Sequence, residues 1–186
     1  MKKLMLFGLL SFLISCNTGE KKTSTDSDSS KMEAGTMETK EAVAYPYPIG
    51  YSSQFEVGDS KNAQLILSLW KDFDNNTLDN TKDKFADTIT ILFSGMTMHG
   101  SRDSVLASTK AYRNMYTTVT STVDAIMAAK STDKNEDWIL VWGTEVHTDK
   151  NNKTDSMHLQ ETWKLNKDGK VDFMMQYQRK PAPPMK

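Results

Sequence analysis

The last third of the chain alternates. In DWILVWGTEVHT (residues 137–148), MHLQETWKL (157–165) and KVDFMMQYQ (170–178), side chains change character with the period of two that a pleated strand imposes. Only DKNNKTD and NKDG separate these runs. Connections this short join antiparallel neighbours, because a parallel return needs a crossover of a dozen residues or more. The end of the chain is therefore restricted to an antiparallel meander, and what precedes it must cover one face of that sheet.

The preceding segment has the elements to do so. Leu65, Ile66, Leu69, Trp70 and Phe73 keep helical spacing behind Asp59 and Ser60, either of which can cap a helix. DNNTLDNTKDKF (74–85) is polar, with Leu78 and Phe85 on one side of an expected short second helix. TITILF (88–93) is rich in β-branched residues and predicts a strand. After Met98-His99-Gly100, Ser101 can cap a helix carrying Val105, Leu106, Tyr112 and Tyr116, and Val119, Val123 and Met127 open another period-two stretch. Short helices followed by a long antiparallel meander define an α+β fold.

The chain opens MKKLMLFGLLSFLISC, and Cys16 is its single cysteine. Lys2 and Lys3 precede an apolar run, Leu4 to Ile14, that falls short of the ~20 residues needed to span a bilayer. Leu13-Ile14-Ser15-Cys16 resembles the bacterial lipobox, which implies a signal peptide over 1–15 and lipidation of Cys16. Two or more acyl chains hold a protein stably at a membrane, so the lipid bilayer is an expected partner and the cell envelope the expected location. Asn17, rather than Asp, after the cysteine resembles the outer-membrane pattern of enterobacterial lipoproteins. Such a mature chain has no thiol left for disulfides, thiolate catalysis or cysteine metal sites.

Residues 16–44 are Ser/Thr, Lys and acids with few aliphatics, which cannot offset ordering entropy and read as a tether. Tyr45, Tyr47, Tyr51 and Phe55, with Pro46 and Pro48, read as an extended strap over 45–58 that packs on the domain. The folded domain is expected over 59–181, with a tail at 182–186. Removing Lys2 and Lys3 leaves 21 basic against 24 acidic residues, a net of −3 without a basic stripe, which argues against nucleic acid.

KFADTITILF, followed by MHGSRDSVLASTKAY, resembles the helix-to-strand and strand-to-helix junctions of nuclear-transport-factor-2-like domains. TWKLNKDGKVDFMMQYQ is similar to their last hairpin. This superfamily includes SnoaL-like cyclases and ketosteroid isomerase. The resemblance, over roughly residues 61–179, implies a cone-like roll: N-terminal helices packed in a curved antiparallel sheet, with a pocket between them. That fold serves enzymes, ligand binders and association modules alike.

The residues must narrow this choice. Glu161 shares a strand face with Met157, Leu159, Trp163 and Leu165. A carboxylate on an apolar face needs a hydrogen bond, and burial raises its pKa. By resemblance it stands where the isomerase holds its protonated, oxyanion-stabilising acid, an enzyme that is itself a standard illustration of a carboxylic acid kept neutral. The isomerase's other acid and its tyrosine have no counterparts at Phe93-Ser94-Gly95 and Ser68 to Trp70, so steroid-isomerase chemistry is rejected. Glu161 is left as a structural acceptor, a ligand contact or an acid/base catalyst.

Trp70, Trp142, Glu161, Trp163, Met174 and Gln176 are the expected pocket lining, with the alternative that the aromatics simply fill the cone. His147 and His158, beside Glu145 on the polar sheet face, are a weak zinc pair without a required spacing; that face can equally be solvated or an interface. His99 reads as structural. Neither DFDNNTLDNTKD nor DKNNKTDSMHLQ meets the calcium-loop pattern, and no cofactor is expected. Three functions follow: binding a small, mostly apolar ligand without catalysis; a cofactor-independent isomerase, dehydratase or cyclase using Glu161; and a module that associates with a partner or forms a homodimer through the sheet.

Overall fold

The computed structural model describes residues 44–181. The expected signal peptide, Cys16, the expected tether up to residue 43 and the tail from 182 lie outside the described residues, and no described helix is long and apolar enough to cross a membrane.

In chain order the elements are β1 (Phe55–Val57), α1 (Ser60–Asp74), a 3-10 segment (Leu78–Lys84), β2 (Phe85–Phe93), β3 (Met96–Ser101), α2 (Arg102–Arg113), β4 (Tyr116–Ser131), β5 (Glu136–Asp149), β6 (Thr154–Leu165) and β7 (Val171–Arg179). They form one seven-stranded, unclosed sheet in the order β1-β4-β5-β6-β7-β2-β3. Every pairing is antiparallel except β2 with β7. The architecture is α+β, with α1 and α2 against one face of a curved sheet.

The helix caps form as the side chains dictate. Asp59 accepts from the Lys61 N–H, and Ser101 from that of Ser104. Helix α1 buries Ile66, Leu69 and Trp70, one turn apart; full burial of each such side chain contributes roughly 1.5–3 kcal/mol. At the end of α2, the guanidinium of Arg113 donates to the carbonyls of Phe73, Asp74 and Tyr116, tying together the end of α1, the end of α2 and the start of β4. It thereby satisfies carbonyls that a helix end leaves open.

Four expectations need correction. Tyr116 opens β4 rather than belonging to the helix capped by Ser101. Phe85 is the first residue of β2, not part of a second helix, and the polar segment before it is 3-10. Met127 leaves the inner face, because β4 carries a bulge at Asp124: Val123 pairs with Gly143 and Ala125 with Trp142. The extra residue shifts the alternation by one, so Ile126 packs on the core and Met127 is exposed; it also bends the strand. The strap is held by its backbone rather than its rings. Phe55–Val57 pair with β4, and the Tyr51 ring meets Trp138 edge-on at 5.8 Å, yet Tyr45, Tyr47, Tyr51 and Phe55 all remain exposed.

Opposite the bulge sits Gly143, against which Trp70 packs. A Cβ there would lie 2.4 Å from the Thr122 carbonyl oxygen and 2.9–3.0 Å from the Trp70 ring. Gly143→Ala is expected to destabilise the domain by about 1–3 kcal/mol, measured as a lowered denaturant midpoint. An unchanged midpoint would show that Trp70 does not depend on this notch.

Candidate functional site

Between the helices and the inner face of the sheet lies a cavity of about 560 Å³. Its wall is mostly apolar, built by Leu69, Trp70 and Phe73 of α1, Ile91 and Phe93 of β2, and Val105 and Leu106 of α2, among others.

Glu161 projects into it from β6. Register explains the placement: Glu161 pairs with Val141 and with Gln176, and residues directly opposite in an antiparallel pair share a face. Its Oε2 accepts two indole N–H bonds, from Trp70 of α1 at 2.6 Å and from Trp163, two residues along its own strand, at 2.8 Å. Among the described residues Oε1 takes no hydrogen bond, so it is the oxygen left for a guest. Burial pushes the carboxyl up to about 7, against the two indoles, which favour the ionised form; the charge of Glu145 adds to the rise.

A second polar region lies further along β5. Glu145 is buried, lines the cavity, and is held above the usual carboxylate range by that burial, against a hydrogen bond to His147. His147 Nδ1 is 3.4 Å from Glu145 Oε1, and the Tyr116 ring packs on the imidazole with centroids 4.2 Å apart. The Tyr116 hydroxyl donates to that of Tyr112, whose ionisation burial pushes above the ordinary phenol range. Asp74, at the end of α1, accepts from the N–H and hydroxyl of Ser121.

Five of the expected residues are thus brought to one cavity: Trp70, Glu161, Trp163, Met174 and Gln176. Trp142 is not with them. It pairs with Gln160 on the outer face, beside Trp138 and Leu140, while Ile139, Val141, Gly143, Glu145 and His147 face inward. DWILVW is apolar at both parities, so its alternation cannot tell the faces apart; pairing with Glu161 does.

The zinc pair also comes apart. His147 is buried on the inner face, whereas His158 pairs with Thr144 on the outer face and bonds its hydroxyl at 3.0 Å. Among the described residues no group of three or more His, Cys, Asp or Glu is placed to hold a metal ion. His99 bonds the Thr90 hydroxyl across the β2–β3 hairpin. Glu145 and Tyr112 are the site residues that sequence reasoning missed. The signal for Glu145 was its parity with Val141.

No family model matches the sequence, and no curated protein matches it. Solved structures do match by shape. A putative polyketide cyclase, IdmH from Streptomyces antibioticus, superposes with a TM-score of 0.52 at 13% identity, over 63% of this chain and 91% of that one. An LEH-like epoxide hydrolase from M. tuberculosis gives 0.54 at 9%, over 64% and 84%. An NTF2-like protein of unknown function from Burkholderia pseudomallei gives 0.52 at 16%, over 64% and 91%. The fold is accordingly the nuclear-transport-factor-2-like cone; at these identities the likeness concerns fold alone.

The carboxyl of Glu161 makes stability depend on pH with a known sign. A group with an ordinary value of 4.5 that rises to about 7 on folding contributes stability fully present below about pH 4.5 and lost as pH rises through about 7. The amount is about 3 kcal/mol. Aspartates such as Asp72 and Asp155 are lowered and act in the opposite sense, so the test is a difference. The denaturant midpoint of wild type relative to Glu161→Gln should fall between pH 5 and pH 8; parallel profiles would refute the raised carboxyl.

Proposed function

We propose that the domain binds one small, mostly apolar molecule in the cone, with Glu161 as its polar contact. The observation that carries this reading is the conjunction of an apolar cavity of about 560 Å³ with the buried Glu161 side chain at its wall, whose Oε2 is held by two indoles while Oε1 takes no hydrogen bond among the described residues. The volume lies within the 300–1,000 Å³ range usual for small-molecule sites, which combine apolar walls with few polar anchors. Oε2, held by two indoles, fixes the direction in which Oε1 points.

A second reading is cofactor-independent acid/base chemistry, as an isomerase, dehydratase or cyclase. What favours it is the Glu161 carboxyl at about 7, where a group both gives and takes protons near neutrality. The presence of cyclases and epoxide hydrolases among proteins of this shape is compatible with it, without assigning a reaction. The two readings differ in one measurement: Glu161→Gln should reduce turnover of a bound compound by about 100-fold or more if Glu161 is the acid/base, and should alter affinity alone if it is an anchor.

The binding reading predicts that Nile red, a neutral apolar dye, saturates at one molecule per chain. It also predicts that native mass spectrometry of the exported chain finds an adduct of a few hundred daltons. A chain that takes up neither dye nor adduct would refute it.

We further propose that the domain is held at the bacterial cell envelope, at the outer membrane, through lipidated Cys16. The support is the charged, apolar and Leu13-Ile14-Ser15-Cys16 succession at the start of the chain. Labelled palmitate should enter wild type and not Cys16→Ala, and the variant should leave the membrane fraction. Equal labelling of both would overturn the proposal.

A further inference from the structure

Among the described residues, the side chains lining the cavity that can carry a full charge near neutrality are both acids. Glu145 and Glu161 both line it, each less than a tenth exposed, while no Lys, Arg or His is among the lining residues. The buried cation nearby is already committed: Arg113 Nε, Nη1 and Nη2 all donate to backbone carbonyls. His147 stands behind Glu145 and contacts its carboxylate.

The hydroxyls of Ser108 and Thr109 donate back into α2, at 3.1 and 3.0 Å, and that of Ser121 donates to Asp74 at 2.8 Å. Gln176 donates to Gln178. Tyr112 accepts from Tyr116, and its own hydroxyl hydrogen remains a donor, close enough to Glu145 to feel its charge. The second N–H of Gln176, the Gln178 amide and the Ser94 hydroxyl are further neutral donors, so the wall offers acceptors at its two acids and no cation to pair with an anion.

The two carboxylates are also separate poles. Val141 pairs with Glu161, and Glu145 lies four residues further along β5, which puts their backbone positions roughly 14 Å apart, while the side chains converge enough for the charge of Glu145 to reach Glu161. The stretch between them is bordered by Leu159, Met157 and the Trp70 ring.

We infer that the cavity selects a slender apolar molecule with a hydrogen-bond donor at each end, hydroxyl or ammonium, one for Glu161 and one for Glu145, and rejects carboxylates. Burying an anion against two carboxylates leaves it unpaired, which is the costly case in a low-dielectric site, whereas a donor finds an open acceptor at each pole. This rests on the binding reading above and names the class of guest.

The test uses the full chain at pH 8 and four ten-carbon probes, each competing with Nile red: decanol, decanediol, decanediamine and decanedioate, the last three functionalised at both ends. The diol and diamine should bind more tightly than decanol, and the dioate at least about tenfold more weakly than the diol. The double variant Glu145→Gln, Glu161→Gln should bring diamine and dioate to within about threefold of each other. Glu145→Gln alone should halve that discrimination on a logarithmic scale, which keeps the test informative if the double variant does not fold. Dioate binding equal to that of the diol, or a diol no better than decanol, would overturn the inference while leaving the cavity reading intact. Displacement by none of the four would remove both.

Discussion

Two indole N–H groups, one from the first helix and one from the sheet, converge on a single carboxylate oxygen. Trp70 brings α1 to that point, Trp163 rises from β6 beside it, and Glu161 Oε2 accepts from both. A buried indole without an acceptor costs about 1–3 kcal/mol, and a buried carboxylate without donors costs more, so each group makes the others tolerable. The arrangement requires Trp70 to approach the sheet closely. Gly143, opposite the β4 bulge, supplies the room. Helix position, strand curvature and the charge of the site are consequently one constraint rather than three.

One turn further along, at the C-terminal end of α1, the same problem is met differently. Arg113 is buried with its guanidinium on three backbone carbonyls, and Asp74 receives the backbone and hydroxyl of Ser121. Together with the Trp70 indole, these contacts fix the C-terminal turns of α1 relative to the sheet. The cavity beside these turns can then remain open, because this part of its wall is held by hydrogen bonds rather than by side chains filling the middle. That separation of support from lining is what leaves Glu161 Oε1 and Glu145 facing space.

Much of the fold was legible in the chain. The meander, the capped helices at Asp59 and Ser101, and the α+β class all follow from periodicity and local hydrogen-bonding chemistry, which act over a few residues. The site was legible only in part. Glu161 was conspicuous because it interrupts an apolar alternation, and Trp163 and Met174 share its sheet face by strand pairing. Trp142 misled because DWILVW is apolar on both faces, so that nothing local distinguishes inward from outward. Met127 misled because a one-residue bulge reverses parity without a mark in composition.

By itself, then, the sequence determined the closing strands and the two capped helices, the turns between those strands, and that one acid belongs to an apolar face. Those properties depend on neighbours along the chain. Only the tertiary structure decided that Trp70 and Trp163 share that acid, that His147 and His158 stand on opposite faces, and that Glu145 forms a second pole of the cavity. Each depends on the register between strands or on the docking of a helix 91 residues away in sequence, and a shift of one residue would send every one of these side chains to the other side of the sheet.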